Sequence, residues 1–371
     1  MPARIVKDRP VRYAVVGAGW ISQAAFMPGV EHTGNSVMTA VVTGDTAKAQ
    51  AFGKRYGIAQ AYHYDAYAAM VAEADVDAVY LALPNDQHRQ FAVPALEAGI
   101  HVLLEKPMAT SEEDCRAISA AAEASGAKLM IAYRLHFEPA NLDTLRRVRA
   151  REIGEVRVFS STFGQHVAAS NHRAHHGFWG GPVPDMGTYP INAARSLFGA
   201  EPVRVTAAGT RDPRLGWDFH DTVAVTLEFP DDRLAQFSVS YATDTVNTFR
   251  VSGTKGDIEL LEGFAFPGPL EQRITVGGSR STHSFGPYDQ FGGELKYFSD
   301  CILHDRDPEP DGEEGLMDVR VCAAVERALL TGQPQTLPRA RRLRQVEPTQ
   351  VQELPPVSEP KLVNASEPGK G

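Results

Sequence analysis

Cysteine is scarce in this chain. Its three residues, Cys115, Cys301 and Cys322, are far apart, which excludes a disulfide framework or a cysteine-built zinc site and fits a reducing compartment. Positive charge is also in deficit, with 37 Lys and Arg against 46 Asp and Glu for a net charge of −9. The cluster Arg339-Ala340-Arg341-Arg342-Leu343-Arg344 is local and flanks an acidic tail, so nucleic acid is not expected as a partner. No apolar run reaches membrane-spanning length. Met1 to Pro10 holds no apolar core of a secretory signal. The expected setting is the cytoplasm, with no membrane partner. What remains is a soluble globular balance, 43% hydrophobic and 22% charged, in 371 residues, enough for two domains. No internal repeat is visible.

The order begins after a ten-residue arm (1–10). Val11 to Val16 reads as a strand running straight into Gly17-Ala18-Gly19-Trp20-Ile21-Ser22, a G-x-G-x-x-S variant of the dinucleotide fingerprint. Gly17 permits the tight turn, and Gly19 lets backbone approach a pyrophosphate at the next helix's start. Ser22 replaces the third glycine, a change expected to relax only helix–strand packing. The next strand, Ser36 to Thr43, ends in Thr43-Gly44-Asp45, with Lys48 one turn on. An NAD enzyme places an acid at this tip for the ribose hydroxyls, whereas a 2′-phosphate needs hydroxyls and cations. Asp45 also suits the N-cap of the following helix. NADP is therefore expected, with NAD as the alternative.

Strands and helices go on alternating through Asp77–Leu83, a helix to about Gly99, His101–Leu104, a helix over about Ser111–Ser125 and Lys128–Tyr133. That alternation predicts a doubly wound parallel sheet of the Rossmann kind over 11–133. Within it, an apolar strand stops abruptly in Glu105-Lys106-Pro107, and a capping box follows from Thr110 with Glu113 or Ser111 with Asp114. In open α/β sheets ligands bind beyond the carboxyl ends of strands, so Lys106 points a cation at that place. The turn Leu83-Pro84-Asn85, leading to His88, ends a neighbouring strand. Leu83, Pro84, Asn85, His88 and Glu105 are candidate cofactor contacts together with Gly17, Gly19, Trp20 and Ile21.

After Tyr133 the pattern changes. A helix over about Phe137–Arg151 leads to strand-like runs at Val156–Phe163, Val203–Gly209, Thr222–Phe229, Leu234–Tyr241 and Thr248–Val251. Strands without intervening helices predict an α+β domain with a large, mainly antiparallel open sheet over 134–344. From 345 to 371, five prolines interrupt a polar stretch that cannot bury a core, so disorder is expected. The segment Asn171 to Tyr189 is dense in His, Trp and Gly, the composition of a functional loop. It places Asp185 and Tyr189 four residues apart, on one face of a helix starting there. His175 and His176 are adjacent, diverge on any helix and have no carboxylate at a ligand spacing, so no metal site is expected.

The glycine fingerprint, Glu105-Lys106-Pro107-Met108-Ala109-Thr110-Ser111, Lys128 to Arg134, Asp185-Met186-Gly187-Thr188-Tyr189 and Glu313 to Arg320 occur in an order that resembles the Gfo/Idh/MocA oxidoreductases, from about Val11 to Leu337. The resemblance implies a nicotinamide cofactor, a sugar or polyol substrate, and a homodimer or homotetramer built through the open sheet. It implies Lys106 as the motif lysine, Asp185 as the substrate-orienting acid and Tyr189 as the acid–base group. Thr43, Gly44, Lys48 and Tyr64 fall where the adenosine phosphate is handled. Arg134, His136 and Arg173 fall around nicotinamide and sugar. Many such proteins carry His where Tyr189 stands, and Gly-Gly-Gly where this chain has Gly180-Gly181-Pro182. Redox-assisted glycoside cleavage, a non-catalytic sugar-responsive regulator, and dehydrogenation of a dihydrodiol or amino-polyol are the rival functions.

Overall fold

The computed structural model describes the chain except Pro267, Leu343, Glu359, Lys370 and Gly371 and, at His172, the backbone alone. It divides into two compact units. The first comprises Met1–Arg134, Asp289–Leu316 and Gln352–Glu367, and the second Leu135–Tyr288, Met317–Val351 and Pro368–Gly371.

The first unit is built on six parallel strands: β1 (Val11–Val16), β2 (Ser36–Val42), β3 (Gln60–Tyr62), β4 (Ala78–Leu81), β5 (His101–Glu105) and β6 (Leu129–Ala132), in the order β3-β2-β1-β4-β5-β6. These strands are almost wholly apolar because both faces of the sheet are covered. The crossovers carry α1 (Met27–Thr33), α2 (Thr46–Tyr56), α3 (Tyr67–Glu73), α4 (His88–Glu97) and α5 (Glu112–Ser125). Capping residues fix where they start. Asp45 caps α2 by accepting from Ala47 N and Lys48 N, and Ser111 caps α5 by accepting from Asp114 N at 3.1 Å. Strand order reverses between β1 and β4, the switch point beside which open sheets bind ligands.

The second unit opens with α6 (Pro139–Arg149), then β7 (Val156–His166), α7 (Thr188–Phe198) and β8 (Arg204–Thr210). β9 (Thr222–Phe229), β10 (Arg233–Ser240), β11 (Ala242–Gly253), β12 (Gly256–Leu261), β13 (Leu270–Val276) and β14 (Ser279–Phe285) follow without helices. Pairing is antiparallel except for β7 with β10, where the strands run parallel. One face buries Phe159, Val225, Phe237, Phe249 and Leu260 in a core shared with Leu142, Leu145, Ile191 and Leu197 of α6 and α7. The other face alternates toward exposure, as a one-sided sheet must.

Two segments depart from the expected boundaries. Helix α8 (Gln290–Leu303) lies in the expected 134–344 domain, yet it packs in the first unit. A Cβ on Gly29 would stand 2.9 Å from Gly292 N, so paired glycines let α1 and α8 touch backbone to backbone. Ser299 of α8 shares hydrogen bonds of 2.8 Å with Tyr13 of β1 and with Ser36 of β2. Likewise Gln352–Glu367, in the stretch expected to be disordered, belongs to the first unit, held by hydrogen bonds rather than by a core of its own. Helix α9 (Gly312–Thr331) and β15 (Gln335–Thr336) complete the elements, β15 pairing with β8 at the sheet's edge. Among the described residues, no helix is long and apolar enough to cross a membrane.

Candidate active site

In the first unit the chain turns at Gly17 with φ +91°, and a Cβ there would lie 2.2 Å from Ala82 O at the end of β4. Only glycine fits this close approach. A Cβ on Gly19 would meet nothing within 4 Å, so the backbone faces open space where the fingerprint requires approach to a pyrophosphate. The residues present therefore fit a dinucleotide. Ser22 does more than relax packing: buried, it donates to Gly17 O at 2.5 Å and closes the turn. At the tip of β2, Thr43 Oγ1 accepts from Asp45 N at 3.2 Å. Gly44 lies against the Tyr64 ring, its Cβ position 3.7 Å away. Burial pushes the Lys48 ammonium below the usual lysine range, and Asp45 partly restores it.

The end of β5 is braced from behind. His88 is wholly buried, its two ring nitrogens 3.0 Å from Pro107 O and 3.0 Å from Leu83 O. It thus ties the Leu83 turn to the Lys106–Pro107 turn from within the core, and any hold on a cofactor passes through those turns. Glu105 accepts from the buried Tyr80 hydroxyl at 2.7 Å. Burial raises the Glu105 carboxyl above its ordinary range, against the pull of Lys106. Arg134 is buried, hydrogen-bonded to Gln290 Oε1 of α8, with its guanidinium 5.9 Å over the Phe291 ring. Farther along the same helix, Glu294 is fully buried with neither carboxylate oxygen hydrogen-bonded among the described residues. Burial first, and Glu105 second, push its carboxyl well above the ordinary range.

In the second unit a π-helical turn, Val183–Gly187, carries Asp185, and α7 begins at once with Thr188-Tyr189. Arg173 Nε lies 3.1 Å from Asp185 Oδ2, and the Tyr241 hydroxyl donates to the same oxygen at 2.9 Å. Burial alone would lower the Arg173 guanidinium, but Asp185 outweighs it and keeps the cation. Burial, then Asp185, push the Tyr241 hydroxyl far above the usual tyrosine range, so it stays a neutral donor. Tyr189 is half-buried, its ring 5.6 Å from Phe163 and 5.8 Å from Phe264. His136 belongs to a buried network, with Nε2 2.6 Å from Asn192 Oδ1, and Asn192 and Arg195 both bonded to Asp318. Tyr241 escapes sequence reasoning because it sits in a strand-like run without a motif. Glu294 looks like any polar residue on a helix.

A parallel nucleotide-type sheet with this glycine turn, in a chain that also carries an α+β unit with a tethered acid and a tyrosine, points to a dinucleotide-dependent oxidoreductase. Residues 11–133 match the oxidoreductase family with an NAD-binding Rossmann fold, and residues 143–259 match the GFO/IDH/MocA C-terminal domain. The chain belongs to the GFO/IDH/MocA oxidoreductase family. It is 29% identical over 324 residues to D-xylose 1-dehydrogenase (NADP(+)) 2 of Haloferax volcanii, covering 86% of this chain and 98% of that protein. It is 32% identical over 259 residues to the trans-1,2-dihydrobenzene-1,2-diol dehydrogenase of Bos taurus, covering 68% and 74%. Among solved structures, the aldose-aldose oxidoreductase of Caulobacter crescentus complexed with glycerol superposes with a TM-score of 0.83 at 35% identity, covering 89% of this chain and all of that one.

Proposed function

We propose that this protein is an NADP-dependent sugar oxidoreductase, moving a hydride between nicotinamide and a hydroxyl or carbonyl carbon of a sugar or polyol. Bound nicotinamide supplies the hydride chemistry. The protein supplies position and proton transfer. Gly17, Gly19, Trp20 and Ile21 receive the pyrophosphate. Thr43, Gly44, Lys48 and Tyr64 take the adenosine phosphate. Leu83, Pro84, Asn85 and Glu105, braced by His88, form the walls at the strand ends, with Arg134 alongside. Tyr189 accepts the hydroxyl proton in oxidation and returns it in reduction, and Lys106 supplies a cation for the same reaction. Asp185 holds a neighbouring substrate hydroxyl, with Arg173 and His136 completing the sugar's surroundings.

The observation that carries this is the convergence of Arg173 and Tyr241 on one oxygen of Asp185, three residues before Thr188-Tyr189. Two donors fix a carboxylate that would otherwise rotate, which is what orienting a substrate requires. The xylose and aldose enzymes among the relatives support a sugar. The dihydrodiol enzyme supports a second reading, a vicinal diol on a carbocycle. Both are tested by incubating the protein with NADP and a panel of aldoses, polyols and one trans-dihydrodiol while following nicotinamide absorbance. Turnover of an aldose or polyol is the expected result. Turnover of the dihydrodiol alone selects the second reading, and turnover of none defeats both. A homodimer or homotetramer through the open sheet is part of the same proposal. It is supported by Val158 and Leu234, exposed apolar neighbours in register on β7 and β10.

A further inference from the structure

We propose that Asn364, carried by the C-terminal segment, sets the choice of dinucleotide by holding Asp45 in its helix-capping pose. This rests on the NADP reading above and deepens it, naming what prevents the one acid at the tip of β2 from serving as a ribose ligand. An acid at that place is what a site for NAD uses to hold the ribose hydroxyls. In this protein Asp45 Oδ1 accepts from Ala47 N at 2.8 Å and Lys48 N at 3.2 Å. Capping alone leaves the second oxygen able to turn outward. Oδ2 instead accepts from Asn364 Nδ2 at 2.8 Å. With both oxygens engaged, the carboxylate is locked toward its own helix.

The donor is itself positioned. One residue earlier, Val363 N donates to Gln23 Oε1 at 2.7 Å, and Val363 O accepts from Gln23 Nε2 at 3.0 Å. Gln23 lies just after the glycine turn, and the same Nε2 donates to Ala18 O at 2.9 Å. Further back, Leu354 O accepts from Asp289 N at 3.0 Å. The segment is therefore pinned between the glycine turn and the tip of β2, the two places the fingerprint assigns to pyrophosphate and ribose. Asn364 has φ +44°, a left-handed conformation that asparagine tolerates better than most side chains. Its amide is neutral, so it satisfies the carboxylate without adding a charge beside a phosphate. Together the three N–H donors hold Asp45's carboxyl below the usual range, Asn364 foremost.

The test is calorimetric titration of NADP and of NAD into the full chain and three variants: Asn364→Ala, Asp45→Asn and the double substitution. Asn364 is exposed and the anchors at Val363 are main-chain, so the alanine variant keeps the segment in place. Asn364→Ala is expected to lower the NADP-to-NAD affinity ratio about tenfold, the worth of one hydrogen bond to a charged group. In the Asp45→Asn background the same change is expected to leave the ratio unaltered, because no carboxylate is left to release. An unaltered ratio in Asn364→Ala, or an equal drop in both backgrounds, overturns the proposal. A wild-type chain that binds NAD as tightly as NADP defeats the cofactor reading itself, an outcome visible before any variant is made.

Discussion

Tyr241 Oη stands 2.9 Å from Asp185 Oδ2, a hydrogen bond between the end of β10 and the turn that launches α7. The same hydroxyl lies 3.1 Å from Gly180 O and 3.2 Å from Gly181 O, so it has three acceptors and a single proton. The charged one competes best. Tyr241→Phe removes the donor and keeps a ring that packs edge-on to Trp217 and Phe219. The expected effect is a fall of roughly ten- to a hundredfold in kcat/KM for the proposed sugar substrate, since a hydrogen bond to a charged group is worth about 1.5–3 kcal/mol. Steady-state kinetics with saturating cofactor checks it, and NADP affinity should not move.

Glu294 gives a pH signature. Its carboxyl is raised above the ordinary range by burial, so the folded chain keeps a proton that the unfolded chain has released. Stability from this group is then fully present below the ordinary glutamate pKa and declines as pH rises above it toward the folded value. Glu294→Gln preserves shape and cannot ionise. Urea midpoints measured at several pH values should show the variant gaining on the wild type as pH rises. Parallel curves would mean that Glu294 is not held protonated.

Asp318 is buried between Arg195, at 2.5 Å, and Asn192, at 3.1 Å, while Arg195 also pairs with Glu201 at 2.6 Å. Without Asp318, Arg195 keeps its pair with Glu201, but Arg195 Nη1 and Asn192 Nδ2 lose the acceptor that Asp318 supplies. Asp318→Ala should therefore destabilise by about 1–3 kcal/mol. Chemical denaturation gives the number, and a loss below about 1 kcal/mol would mean that water or Glu201 takes over.

These residues mark where sequence stops being informative. Gly17-Ala18-Gly19 and Glu105-Lys106-Pro107 are legible because strand ends in a parallel sheet impose local chemistry that reads as a motif. The cap of α2 at Asp45 and the cap of α5 at Ser111 are legible for the same reason. Strand β14 is not: Ser279–Phe285 is exposed along nearly its whole length, so it has no alternation to show. Nor can the apolar stripe of α8 say which sheet it will cover, since any buried face would satisfy it. The pairings of Tyr241 with Asp185 and of Asn364 with Asp45 span 56 and 319 residues. Contacts that distant leave no trace in local pattern.

Tyr189 is where the proposed mechanism is most exposed. Its ring contacts with Phe163 and Phe264 survive Tyr189→Phe, so the fold should be unchanged and only the hydroxyl lost. General acid–base catalysis contributes about 10²–10⁴-fold, and kcat should fall by that much with NADP affinity intact. Lys106→Met should also abolish turnover, but for a different reason, because it removes the cation rather than the proton acceptor. If the two act as a unit, their losses do not add, and the double variant is no slower than the worse single one. Full additivity would separate them and assign Lys106 to cofactor placement. A Tyr189→Phe enzyme within a factor of two of wild type would make the tyrosine a packing residue, and the proton would then have to be sought at another group, His136 first.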